Sequence, residues 1–98
     1  MSTLPYAREQ YAAAVHTLAT GRDLKGRLMR AYCYNVIFAP TQDLPPQIAK
    51  AHEWICATLD GRSGEAGGAI KLMRYKTAER VAERICDVSS ELQSLQED

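Results

Sequence analysis

Apolar side chains recur every three or four residues along four stretches of the chain, which is the spacing of one face of an α-helix. The pattern predicts helices over about 5–20, 22–38, 44–60 and 69–95. We find no stretch whose pattern favours a β-strand over a helix. The sequence therefore predicts an all-α fold. It is a single domain, residues 1–98, built as an antiparallel four-helix bundle with a longer C-terminal helix.

Capping residues, prolines and glycines set the predicted ends of these helices. Thr3 and the following Pro5 suit the start of the first helix. Asp43, just before two prolines, is a good N-cap for the third. Gly61 is placed as the C-cap glycine of that helix.

The segment between the third and fourth helices, residues 61–68, has the sequence GRSGEAGG. A phosphate-binding loop needs GxGxxG or GxxxxGK[ST] after a strand, and neither the glycine spacing nor the preceding helix fits. We therefore predict a flexible connection. The remaining argument for an anion site is the pair Lys71 and Arg74 beside the start of the next helix.

The last helix carries the longest apolar stripe, and its second half is spaced like a heptad repeat. At about 1.5 Å per residue, a helix over 69–95 is roughly 40 Å long, longer than a domain of this size is wide. A single chain would then leave part of the stripe in water. The sequence predicts a homodimer through Ile85, Val88, Leu92 and Leu95. Trp54, at the edge of the third helix's apolar stripe, is either a further interface residue or a cap on the core.

The composition supports a small core. Alanine supplies 14 residues, whereas Leu, Ile, Val and Phe together number 19 of 98. The net charge is zero, which argues against disorder. A folded domain with few large apolar side chains often completes its core by pairing, and this again favours a dimer.

The zero net charge also argues against a general nucleic-acid or membrane-surface role. The charges are nevertheless unevenly distributed, because residues 68–84 are basic and residues 85–98 contain only acidic charges. A nucleic-acid-binding regulator is therefore kept as an alternative. Its candidate contacts are Lys71, Arg74, Tyr75 and Lys76, with Tyr75 able to stack on a base. The alternating glutamates and arginines that follow favour an ordinary solvated helix face.

Candidate chemistry is sparse. His52 and Cys56 form the one His–Cys pair at i,i+4 spacing, but His52 lies within an apolar stripe and is interpreted as a core or interface histidine. A nucleophilic Cys56 would need an activating charge that the sequence does not place. We predict no enzyme activity, no metal site and no cofactor.

The string VHTLATG, residues 15–21, resembles the phosphoacceptor turn of histidine-phosphotransfer domains, which are helical bundles of similar length. In that family the histidine is followed three residues later by lysine and then glycine. Here Ala19 and Thr20 stand at those two positions. The resemblance implies a phosphotransfer module as a distant alternative.

Cysteine usage and the N-terminal sequence bear on location. Three widely spaced cysteines suit reduced thiols in the cytoplasm, and MSTLPYAREQ has charges where a signal peptide would be apolar. No apolar run approaches the roughly 20 residues of a membrane span. Our leading hypothesis is a small cytoplasmic adaptor or regulatory module. It would bind itself and another protein through helical surfaces.

Overall fold

A computed structural model describes residues 2–95 of the chain, and these residues form four α-helices and two 3₁₀ turns without any β-strand. The helices are α1 Leu4–Leu18, α2 Leu24–Tyr34, α3 Pro46–Asp60 and α4 Tyr75–Ser94. The 3₁₀ turns are Val36–Phe38 and Ile70–Leu72. The predicted all-α, bundle-like fold is confirmed, and α4 is the longest helix.

The core lies where the four helices meet. Helix α1 packs against α2 and α4, and α3 packs mainly against α4. The apolar faces read from the sequence supply the buried side chains. The largest of these that are fully buried are Tyr11, Tyr32, Leu28, Ile55, Leu59, Ile70, Ile85 and Leu92.

Helix α4 begins at Tyr75, not near residue 69 as the sequence pattern predicted. Met73 and Arg74 have extended backbone, with ψ of 155° and 151°. Neither residue is a helix breaker, so the interruption must be imposed by the packing of the Ile70–Leu72 turn. The helix is then 20 residues, or about 30 Å, long. This fits within the 42 Å long axis of the described residues.

The C-terminal end of α4 is held by its own chain. The Arg8 guanidinium on α1 donates to the carbonyls of Leu92 at 2.8 Å and Leu95 at 2.7 Å. These are among the carbonyls that a helix leaves without an intrahelical donor. The predicted overhang of the last helix is therefore wrong, because α4 is shorter and its end is capped by α1.

Two further boundaries differ from the sequence prediction. Helix α2 ends at Tyr34, and Asn35 then departs from helical geometry before the turn Val36–Phe38. Asp43 does not cap α3; its carboxylate accepts from the backbone N–H and the hydroxyl of Thr3, at 2.6 and 2.8 Å. These hydrogen bonds hold the pKa of Asp43 below its usual value. Asp43 thus ties the start of α1 to the segment before α3.

The glycine segment 61–68 makes specific contacts. Gly61 ends α3 with a φ of 59°, as predicted for a C-cap glycine. The Gly67 N–H donates to the Asp60 carboxylate at 2.9 Å, and Gly67 is buried. By contrast, an added side chain at Gly64 would meet no atom within 4 Å. The predicted flexibility stays a prediction, and these contacts restrict it to the part around Gly64.

Among residues 2–95, no helix has the length and apolar character needed to cross a membrane.

Candidate protein-binding surface

The turn Ile70–Leu72 places two apolar side chains in opposite environments. A 3₁₀ helix has about three residues per turn, so residues two apart point to different sides. Ile70 is buried in the core, whereas Leu72 is 92% exposed. An apolar side chain exposed to this extent on an ordered turn is available to contact another molecule.

Several hydrogen bonds fix this turn. The Ala69 N–H donates to the Leu59 carbonyl at 2.9 Å, and the Ile70 N–H donates to the Gly67 carbonyl at 3.0 Å. From α2, the Lys25 ammonium donates to the Lys71 carbonyl at 3.0 Å. The turn is therefore anchored to α3 and to α2, and Leu72 is held in place rather than carried on a loose loop.

A groove of about 390 Å³ lies between the turn and the end of α3. Leu72 and Met73 form one side, and Thr58 of α3 lies on the other. A second cavity of about 330 Å³ lies toward α2 and is lined by Met29, Ile70 and other residues of that side. Leu72 thus projects beside two largely apolar depressions of the surface.

The four residues predicted as nucleic-acid contacts lie together here. Lys71 belongs to the turn, Arg74 is the N-cap of α4, and Tyr75 and Lys76 are the first residues of that helix. All four are exposed. The sequence analysis missed Leu72, because a predicted helix over 69–95 gave no reason to single out this residue.

Tyr75 is partly engaged within the chain. Its hydroxyl donates to the Asp23 carboxylate at 3.3 Å, and the Lys25 ammonium lies 5.1 Å from the centre of its ring. The ring still has 56% of its surface exposed. We name the surface formed by Lys71, Leu72, Arg74, Tyr75 and Lys76 the Leu72 surface.

Trp54 lies on α3, one helical turn before Thr58 and on the same side of the helix. Its side chain is 39% exposed. Since Thr58 lines the groove beside Leu72, Trp54 extends the same side of α3 beyond that groove. Its predicted role at an interface stays a prediction.

The α4 residues predicted to form the dimer interface have a different environment. Ile85, Val88 and Leu92 are fully buried inside one chain, and Leu95 is partly buried against the same core. Their stripe faces the other three helices, so it does not need a second chain to leave water. The premise of that prediction is therefore wrong, because one chain already covers the stripe, and the predicted interface itself stays a prediction.

His52 lies in the core, as the sequence analysis proposed, and has a partner for each ring nitrogen. It is 6% exposed; its Nδ1 lies 2.7 Å from the Tyr11 hydroxyl and its Nε2 lies 3.5 Å from the Cys56 sulfur. Burial lowers the pKa of His52, and the Glu53 carboxylate partly opposes this. Burial likewise raises the pKa of the Cys56 thiol. A neutral imidazole beside a neutral thiol is not an activated nucleophile.

Other candidate chemistry is dispersed over the described residues. Within residues 2–95 no group of three or more His, Cys, Asp or Glu side chains is placed to hold a metal ion. His16, the residue that aligns with a phosphoacceptor, is exposed in the last turn of α1. The three cysteines are all free thiols.

No protein-family model, curated protein or solved structure matches this chain. The function must therefore be argued from the surface itself.

Proposed function

We propose that the chain is a small non-enzymatic adaptor or regulatory module that binds protein through the Leu72 surface. The observation that supports this most directly is the exposure of Leu72, which is 92%. Burying one leucine side chain contributes about 1.5–3 kcal/mol. A partner that covers Leu72 gains this contribution without first having to order the turn, because the chain already fixes it.

The surroundings of Leu72 define the kind of partner. Aromatic residues and arginine are enriched in protein interfaces, and one of each lies beside the exposed Leu72. Here Tyr75 supplies the aromatic ring, and Lys71, Arg74 and Lys76 supply positive charge. The partner would present an apolar pocket for Leu72 and acidic side chains around it.

A nucleic-acid-binding regulator is the second candidate, and one observation favours it. Lys71, Arg74 and Lys76 are exposed on consecutive segments around Tyr75, so one phosphate backbone could contact all of them. Leu72 argues for protein instead, since a projecting leucine gains little from contact with phosphates.

The proposal includes a cytoplasmic location. All three cysteines are free, and thiols stay reduced in that compartment. It also includes the absence of enzyme activity, which is supported by the raised pKa of the Cys56 thiol and the engaged ring of His52.

Site-specific photocrosslinking in the cells that produce the protein tests this function. A photoreactive phenylalanine analogue is placed at position 72 and, as a control, at position 34. Tyr34 is 70% exposed at the C-terminal end of α2, so both sites are accessible to solvent, although position 72 is the more exposed of the two. We expect a discrete protein adduct from position 72 and none from position 34.

Equal crosslinking from both positions, or no protein adduct from position 72, would reject the proposal. The nucleic-acid candidate is decided by fluorescence anisotropy with mixed-sequence DNA and RNA at low salt. It predicts binding that weakens steeply with salt and is lost when Lys71, Arg74 and Lys76 are changed to glutamate. Binding that is insensitive to these changes removes that candidate.

A further inference from the structure

A second apolar groove runs along α4 on the side that meets α1 and the start of α2. It consists of two cavities, of about 370 and 440 Å³. The first lies between Leu18, Leu24 and the segment of α4 around Ala82. The second lies between Val15 and the last turns of α4. Cys86 lines both, so the two cavities form one groove with Cys86 at its middle.

Acidic side chains border this groove. Glu83 and Asp87 line the first cavity and are exposed. Burial raises the pKa of the Cys86 thiol, and the negative charges of Asp87 and Glu83 raise it further. Asp87 has one ion pair, with Arg84 at 3.8 Å, and this is too exposed to neutralise it strongly. The first cavity is thus floored by apolar side chains and is negative along its α4 edge, with Arg27 of α2 also in its lining. The second cavity has mainly serine and glutamine side chains around Val15 and Cys86.

The groove and the Leu72 surface share one side of α4. Tyr75, Ala82 and Cys86 are spaced by seven and four residues, which places them in one row along the helix. Lys76, Glu83 and Asp87 repeat this spacing one residue later, so they form an adjacent exposed row about 100° further round the helix, basic at its start and acidic further along. The chain therefore carries, on one side of one helix, both an apolar anchor with positive charges and an apolar groove with negative charges.

Two copies of this row match each other when the α4 helices run antiparallel. With Glu79 near the centre, Lys76 of each copy lies opposite Glu83 of the other, and Arg80 lies opposite Glu79. The residues before α4, including Leu72, then reach the groove of the second copy. Such a contact uses the same surface on both chains, as a two-fold symmetric dimer requires.

We propose that the partner of the Leu72 surface is a second copy of this chain, with Leu72 of each copy seated in the α4 groove of the other. This inference rests on the proposed function, because it identifies what the surface binds. It keeps the homodimer predicted from the sequence but moves it from the buried stripe of α4 to the exposed charged row of that helix and the groove beside it.

Sedimentation equilibrium with a charge exchange tests the pairing. Wild type is expected to have the dimer mass at micromolar concentration. Lys76→Glu and Glu83→Lys each place like charges opposite each other twice in the dimer, so each should weaken association at least tenfold. The double variant restores opposite charges and should recover most of the wild-type association. Circular dichroism checks that the helices are intact.

A disulfide crosslink tests the seating of Leu72. Cys86 lines both cavities. A cysteine at position 72 of one copy should therefore reach Cys86 of the other copy, whichever of the two cavities it occupies. Under mild oxidation by oxidised glutathione, Leu72→Cys is expected to give a covalent dimer joined between positions 72 and 86. The control, Leu72→Cys with Cys86→Ser, should not form this dimer.

Different results would overturn the homodimer and the proposed protein-binding function. A wild-type monomer at 100 micromolar, or a double charge variant no tighter than the single variants, overturns the homodimer. A disulfide that joins position 72 to itself overturns the seating of Leu72. If position 72 then still crosslinks to a different protein in cells, the proposed function stands with another partner. If it crosslinks to none, both proposals are rejected.

Discussion

Two side chains lie in environments opposite to the usual ones for their residue types. His52 is buried among apolar residues, and Leu72 is exposed. The histidine is accommodated because each of its ring nitrogens lies within hydrogen-bonding distance of a partner. The partners are the Tyr11 hydroxyl and the Cys56 sulfur. Nothing within the described chain covers Leu72 in the same way. The polar residue in the core is thus accounted for by the fold, whereas the exposed apolar residue is the one that we propose a partner covers.

The buried His52 predicts a pH dependence of stability. Its pKa in the folded chain lies below the ordinary value of 6.5, so the unfolded chain binds a proton more readily. The stability that neutral His52 contributes is complete above pH 6.5 and is lost as pH falls from there through the folded-state pKa. We expect the free energy of unfolding, from urea titrations, to decrease between pH 7.5 and 5.5.

The control for this pH dependence is His52→Gln, which cannot titrate in that interval. The other groups with shifted pKa values titrate outside this pH interval. The pKa of Asp43 lies below its ordinary 3.8, and the pKa values of the cysteines lie above their ordinary 9.0. The pH slope should be smaller in the variant, whatever its absolute stability. An equal slope in both proteins would contradict the assignment to His52.

The contrast between Leu92 and Leu72 predicts effects of very different size for the same substitution. Leu92→Ala removes a fully buried side chain and should lower the free energy of unfolding by about 2–5 kcal/mol. In dilute protein, Leu72→Ala should change it by less than about 0.5 kcal/mol, as exposed substitutions usually do. Urea unfolding at one low protein concentration compares the two. A large loss for Leu72→Ala would mean that this side chain packs within its own chain.

At the scale of elements, the sequence predicts the four helices and their buried faces well, because each carries its own apolar periodicity. It does not predict the break at Met73 and Arg74. No proline, glycine or capping residue marks that position, and the break depends on Ile70 entering the core. Leu72 is missed for the same reason: its exposure follows from a turn that is fixed by tertiary contacts from α2 and α3.

The segment 61–68 offers a matched pair of glycine substitutions. Gly61 and Gly64 both have positive φ, of 59° and 78°, and a non-glycine residue held in such a sparsely populated region costs about 1–3 kcal/mol. At Gly61 an added Cβ would also lie 2.8 Å from the Cβ of Ala69, whereas at Gly64 it meets nothing. Thermal unfolding should therefore show a larger loss for Gly61→Ala than for Gly64→Ala.

Equal losses at the two glycines would mean that the close approach of Ala69 to Gly61 is not a constraint. Insertion of two or three Ser/Gly residues directly after Gly64 is still predicted to cost little, because loop closure entropy grows slowly with length. A loss of several kcal/mol there would show that this part of the segment is packed as well.

At the scale of the whole molecule, one chain covers the stripe that the sequence analysis assigned to a dimer. The reason is that α4 is shorter than predicted and Arg8 of α1 caps its end. Periodicity in the sequence identifies an apolar face, but it does not distinguish contact with the same chain from contact with a second one. The surface that we propose for a partner is formed by the Ile70–Leu72 turn and the charges around it.

Hydroxyl-radical footprinting of the purified protein at two concentrations tests the central claim, that Leu72 and not the α4 stripe meets the partner. In nanomolar protein, we expect Leu72 and Tyr75 to be oxidised and Leu92 to be protected. At high micromolar concentration, Leu72 and Tyr75 should become protected as the second copy covers them, while Leu92 stays unchanged. Oxidation of Leu92 in the dilute protein, or oxidation of Leu72 that does not depend on concentration, would contradict the account.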